Sequence, residues 1–221
     1  MEENGLKRED LFVTTKIWMD HHSYEGAQQA CDESLKKLGL DYVDLYLIHW
    51  PKSKLIQGSW EDAEHEVWRG FEKLYQDGKV RAIGVCNHTP EHLKVLMSGA
   101  KVMPMVNQIE LHPGLDQAET RAFCKENNIV VEGWSPLGCG QMFQVETMKT
   151  MAQKYNRSIA QICLRWALQN DILPLPKSVT PSRIVENTKI FDFEISADDM
   201  AALSTLSEIG RTGPDPDNFP M

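Results

Sequence analysis

The stretch from Leu173 to Asn187 (LPLPKSVTPSRIVEN) places two cations and several hydroxyls where an apolar run gives way to a helix start. Thr180 stands at the N-cap and Pro181 at the first helical position, where a missing N–H costs nothing because that group has no intrahelical partner. Lys177 and Ser178 lie just before the opening and Arg183 in its first turn. Backbone donors, the positive end of the helix dipole and two cations thus converge on one point, which suits an anion. Taken alone, the string also fits an ordinary capped helix with solvated Lys and Arg. Five further polar residues, Lys16, His49, Asn87, Gln108 and Ser135, fall with Lys177 at the ends of the strands expected below.

The elements that position these residues alternate. Glu9 to Ile17 ends in a β-branched run, and Ser23 to Leu38 carries helix-spaced apolar residues closed by Gly39. Strand and helix recur at Tyr42–His49 and Trp60–Gln76, then at Val80–Val85 and a helix opened by Thr89 and Pro90. Met105–Ile109 precedes a helix over Asp116–Asn127. Ile129–Trp134 precedes helices near Val145–Tyr155 and Ser158–Gln169, and the last strand is Ile172–Leu175. Six βα units without linker or repeat predict one domain over residues 1–221, built on a parallel sheet. An open doubly wound dinucleotide sheet carries G-x-G-x-x-G after an early strand, and none is present. In a barrel, polar residues at the C-terminal strand ends form the active site, and the last loops with a helix start form a phosphate site.

Composition narrows the class. In 221 residues, 42% hydrophobic, no apolar run approaches the roughly 18 residues that span a bilayer. The start, Met1 to Gly5, has neither a basic nor an apolar leader, so the expected location is the cytoplasm. The five cysteines are scattered without a C-x-x-C pair, which argues for reduced thiols and against a disulfide framework or zinc site. A net charge of −9 argues against nonspecific nucleic-acid binding.

The motifs LFVTTKIW (Leu11–Trp18), VDLYLIHWP (Val43–Pro51), VRAIGVCN (Val80–Asn87), MVNQIELHP (Met105–Pro113), WSPLG (Trp134–Gly138) and LPKSVTPSRIVEN (Leu175–Asn187) together resemble the aldo-keto reductase family. The compact loop after WSPLG and the ending GRTGPDPDNFP resemble its smaller, microbial-type members. The resemblance implies a (β/α)8 TIM barrel that reduces aldehydes or ketones to alcohols with NADP(H) and needs no metal. Carried over by residue, Lys16 and His49 would be catalytic, and Trp18 and Trp50 would wall the carbonyl pocket. Asn87 and Gln108 would hold the nicotinamide carboxamide beside Cys86, which stands where serine is usual. Trp134 would stack on the nicotinamide in place of a tyrosine. Ser135 and Leu137 would line the pyrophosphate, with Lys177, Ser178, Val179, Thr180 and Arg183 around the 2′-phosphate ribose and Glu186 and Asn187 around the adenine.

The family's general-acid tyrosine and partner aspartate belong to a G-x-R-x-x-D-T-A…Y segment with the first two strands, and none of the five tyrosines here matches it. The expectation is therefore a barrel lacking its first two strands in this chain. Its partner is a small carbonyl substrate, and it is a monomer unless exposed strand edges pair. Two other readings stand beside a reductase: a noncatalytic NADPH-binding or partner-binding protein, and a Schiff-base aldolase using Lys16. The aldolase leaves Asn87, Gln108 and Trp134 unexplained.

Overall fold

A computed structural model describes residues 5–56 and 58–220; the leader reading of Met1–Asn4 lies outside them. The chain falls into two compact units, residues 1–107 with 216–221 and residues 108–215.

Among the described residues of the first unit a 3-10 turn at Arg8–Asp10 comes first, and strand β1 (Thr14–Ile17) starts later than the apolar run suggested. The turn arises because the Asp10 carboxylate accepts the Lys7 N–H at 2.9 Å. Helix α1 (Tyr24–Leu38) follows, capped by the Ser23 hydroxyl, which accepts the Gly26 N–H. It ends at Gly39, whose φ of 65° is the left-handed conformation that a helix stop demands and glycine adopts without a Cβ penalty. Strand β2 (Val43–Ile48) is buried at every position, as expected of an interior parallel strand covered on both faces. Its one acid, Asp44, is met by Arg8 at 2.7 Å.

Helix α2 (Trp60–Gln76) has the expected bounds, set by the Ser59 cap and a long apolar stripe. Trp68 and Phe71 on that stripe are buried, each stabilising the unit by about 1.5–3 kcal/mol. The Phe71 ring stacks on Tyr46 of β2 at 4.6 Å. Strand β3 (Val80–Cys86) and helix α3 (Pro90–Gly99) complete the repeat. At the third position of α3, His92 takes the place usual for Glu or Gln in a capping box: its Nδ1 accepts the Thr89 N–H at 3.1 Å. A backbone N–H only donates, so Nδ1 carries no proton, and Nε2–H is left to donate to Asp217 at 3.2 Å.

In the second unit, strand β5 (Val130–Trp134) follows helix α4 (Ala118–Glu126), and helices α5 (Glu146–Tyr155) and α6 (Ile159–Gln169) lead to strand β6 (Ile172–Pro174). Ser158 caps α6 in a full capping box with Gln161. Helix α7 (Pro181–Asn187) has Thr180 at its N-cap position and Pro181 first, as expected. The Thr180 hydroxyl makes no cap bond, however; the Ser178 hydroxyl accepts the Thr180 N–H at 3.1 Å instead. Helix α8 (Ala197–Ser204) was not anticipated. Strand β4 (Val106–Glu110) carries the boundary between the units, and the six strands of the described residues form a parallel sheet in chain order. No described helix is long and apolar enough to cross a membrane.

Candidate active site

In the first unit, Lys16 sits one residue before the end of β1, paired in register with Leu47 of β2, and His49 directly follows β2. The Lys16 ammonium is half-buried and forms no ion pair among the described residues. Burial, with the Lys16 charge adding to it, pushes His49 down to about 4. The ring is therefore neutral near pH 7 and has one N–H to offer.

Trp18 meets the His49 ring edge-on at 5.0 Å, and the Trp50 ring lies 6.2 Å from it in a stacked orientation. Phe219 closes this cluster, 4.5 Å from Trp50 and 6.2 Å from Trp18. Both tryptophans thus flank the His49 ring, with Trp18 the more exposed at 37%. Such a surface offers apolar walls beside a single hydrogen-bond donor.

Asn87 directly follows β3 in the left-handed conformation, φ 60°, which asparagine tolerates better than most residues. Its side-chain Nδ2 donates to the His49 carbonyl at 2.9 Å, tying the two strand ends together. Cys86 is buried behind it.

In the second unit, Gln108 is buried at the middle of β4, not at its end as expected. Its Nε2 donates to Glu132 at 2.7 Å, which fixes the orientation of the amide and of its carbonyl oxygen, an acceptor. Trp134 ends β5 half-buried, and Ser135 follows it in the left-handed region at φ 48°. One flank of the Trp134 indole is covered by Gly213 so closely that a Cβ there would lie 2.3 Å from the ring. That segment is strapped down by Glu110, which accepts from the Thr212 N–H at 2.8 Å, the Gly213 N–H at 3.1 Å and the Thr212 hydroxyl. Burial works to raise the Glu110 pKa, yet the His112 ring 3.5 Å away and the bonds from Thr212 and Gly213 outweigh it and hold the carboxylate at about 2.

Leu137, Lys177, Ser178, Arg183, Glu186 and Asn187 line one cavity of about 380 Å³ with Phe143, Ser158 and Ala160. Ser135, Leu137 and Lys177 line a second, of about 290 Å³. Val179 and Thr180 line neither, and Val179 is 80% exposed. Neither Lys177 nor Arg183 forms an ion pair among the described residues. Two unneutralised cations beside a hydroxyl, an amide and a carboxylate in one concave site fit a phosphorylated ribose carrying a base.

The sequence pattern of the Aldo/keto reductase family matches residues 1–208. The chain belongs to the aldo/keto reductase family. A glyoxal reductase of Bacillus subtilis is 46% identical over 219 residues, covering 99% of this chain and 76% of its own. A solved aldo-keto reductase from a Medee basin deep-sea metagenome library superposes with a TM-score of 0.92 at 40% identity, covering all of this chain and 79% of its own. The aldo-keto reductase AKR2E4 of Bombyx mori, solved in complex with NADP, gives a TM-score of 0.82 at 36% identity over 91% of this chain and 70% of its own. The fold is thus the reductase barrel type expected from the sequence, with six strands among the described residues.

Phe219, Glu110, Glu132 and the Thr212–Gly213 strap are the site elements that sequence reading missed. Their partners lie far away in the chain, 102 residues apart for Glu110 and Thr212. Only the Gly-Arg-Thr-Gly string (Gly210–Gly213) hinted at a close backbone approach.

Proposed function

We propose that this aldo-keto reductase chain binds NADP(H) and that its site is built to reduce aldehydes or ketones to alcohols. The observation that carries the reading is the 380 Å³ cavity in which Lys177 and Arg183 stand without ion-pair partners next to Glu186 and Asn187. Lys177 and Arg183 take the 2′-phosphate, Arg183 through its planar fork, while Glu186 and Asn187 meet the adenine. Ser135 and Leu137 line the pyrophosphate. Asn87 and Gln108 take the carboxamide, and Trp134 offers a flat face held in place by the strap over its flank.

When bound, the cofactor supplies a hydride to the carbonyl carbon. The chain's own residues do the rest. Neutral His49 would donate a hydrogen bond to the carbonyl oxygen, Lys16 would stabilise the negative charge that grows there, and the alkoxide left by hydride transfer would take its proton from solvent to give the alcohol. Trp18, Trp50 and Phe219 hold the apolar part of the substrate and exclude water around it.

The test is a titration of NADPH and NADH into the wild type and Arg183→Ala. Loss of one charge-assisted contact should weaken NADPH about tenfold or more and leave NADH nearly unchanged. Equal affinities for the two cofactors, unchanged in the variant, would falsify the assignment.

A noncatalytic, cofactor-holding role for these 221 residues taken by themselves is the second reading, since none of their five tyrosines follows a D-T-A pattern. General-acid help is typically worth about 10²–10⁴-fold, so turnover of a nitrobenzaldehyde by these 221 residues is expected to be weak. Robust NADPH oxidation at 340 nm that His49→Ala abolishes would refute that second reading.

A further inference from the structure

Behind the Asn87 turn lies a pair of ionisable side chains that the reaction does not use. Glu64 of α2 and His88, the residue after Asn87, are both fully buried, and their Oε1 and Nε2 atoms are 2.5 Å apart. The opposite ring nitrogen, His88 Nδ1, lies 2.7 Å from the Cys86 carbonyl. A carbonyl only accepts, so Nδ1 carries a hydrogen, and the 2.5 Å contact needs a second one between Nε2 and Oε1. The imidazole is therefore a rigid strut between a carboxyl on α2 and the backbone on one side of Asn87.

A second tie grips the other side. Asn107 of β4 donates Nδ2 to the His88 carbonyl at 2.8 Å and accepts the His88 N–H on Oδ1 at 3.4 Å. Asn87 lies between these anchors in the left-handed region at φ 60°, a conformation open to asparagine that the two ties hold in place. The Asn87 side chain in turn reaches the His49 carbonyl.

We infer that Glu64 and His88 are positioning residues: with Asn107 they clamp the Asn87 turn, and through it they set the placement of the carboxamide-binding amide and of His49. The inference rests on the proposed role of Asn87 toward NADP(H). What the clamp requires is reach. A carboxamide at position 64 still meets a neutral His88, donating to its Nε2, whereas a carboxylate one methylene shorter does not span the gap.

The experiment compares wild type, Glu64→Asp and Glu64→Gln in two measurements. Titrations with NADPH and with 2′,5′-ADP separate the nicotinamide end from the phosphate end. Amide hydrogen exchange at Asn87 and His88 is followed in the ligand-free proteins, with protection in β2 and α2 as the check on folding. Glu64→Asp is expected to weaken NADPH roughly tenfold, to leave 2′,5′-ADP within about twofold, and to speed exchange at Asn87 and His88 by about tenfold or more. Glu64→Gln is expected to resemble the wild type in all three.

Equal losses for both ligands in Glu64→Asp, or wild-type exchange at the turn, overturn the inference. So does a Glu64→Gln protein as impaired as Glu64→Asp. If Glu64→Asp does not fold, Asn107→Ser removes the other arm of the clamp, and the same ligand-selective loss is required of it. A wild type that binds neither ligand refutes the cofactor reading instead, and the exchange data still decide whether the clamp exists.

Discussion

Replacing His92 by glutamine should remove a large part of the protein's sensitivity to acid. His92 is 1% exposed, and its Nδ1 is committed to the Thr89 N–H at the start of α3. Protonation would turn that acceptor into a donor facing another donor and would undo the capping box. Burial, and next the nearby His88, push the ring down to about 4 from 6.5, against a smaller upward pull from Asp217. Between those two values the folded state binds fewer protons than the unfolded one. Stability therefore falls as pH drops from 6.5 to 4 and levels off below that.

With these two values, the loss attributable to His92 between pH 7.5 and 4.5 is about 2.5 kcal/mol. Glutamine at the same position can complete the capping box without titrating. Urea unfolding followed by far-UV circular dichroism at both pH values, for wild type and His92→Gln, measures the difference directly. The contributions of His22 and of His49, whose values are also lowered, are common to both proteins and cancel in the comparison. Equal pH-dependent losses in the two proteins would show that His92 does not carry this sensitivity and that the tautomer deduced from the capping geometry is wrong.

Two further substitutions probe the cofactor residues. Gly213→Ala puts a methyl group 2.3 Å from the Trp134 ring, so either the indole or the Glu110 strap must shift. We expect a cost of about 1–3 kcal/mol in unfolding free energy and weaker NADPH binding, and unchanged melting and binding would show that the strap is not tight. Cys86→Ser restores the stronger hydroxyl donor at a buried position and is expected to tighten NADPH binding slightly or leave it unchanged. A clear loss of binding would reveal a role for the thiol itself.

Much of this architecture was legible because local signals agreed with one another. Ser59 and the apolar stripe behind it fixed both ends of α2, and Thr89 with Pro90 fixed the start of α3. Helix α8 went unread although Ser196, with Asp198 and Asp199 in the first turn, is a strong start signal. Gln108 was placed at a strand end because the apolar run of β4 stops at Ile109, whereas the ladder continues through Glu110, whose buried carboxylate is satisfied by the distant Thr212 and Gly213. The phosphate residues were read as one continuous string. Turn geometry divides that string, sending Lys177, Ser178 and Arg183 to a shared cavity and Val179 out to solvent. The aromatic cluster was half visible: Trp18 and Trp50 follow strands, but nothing local to Phe219 tells that it packs against both.

The sheet's order, β1 through β6 without a crossing, bears on how the protein is made. Among the described residues, every strand after β1 pairs with the strand synthesised just before it. At roughly 5–20 residues per second, each new strand leaves the ribosome within seconds of its partner and needs no segment still to come. A nascent chain halted after β3 already holds every pairing that β1, β2 and β3 make with one another in the finished sheet. The same order leaves the newest strand with an open row of N–H and C=O groups at each stage, a template for stray pairing until the next strand arrives. Translational pauses that fall just after a completed strand therefore lengthen the exposure of that edge, while pauses inside the following helix do so only until the helix emerges with its strand.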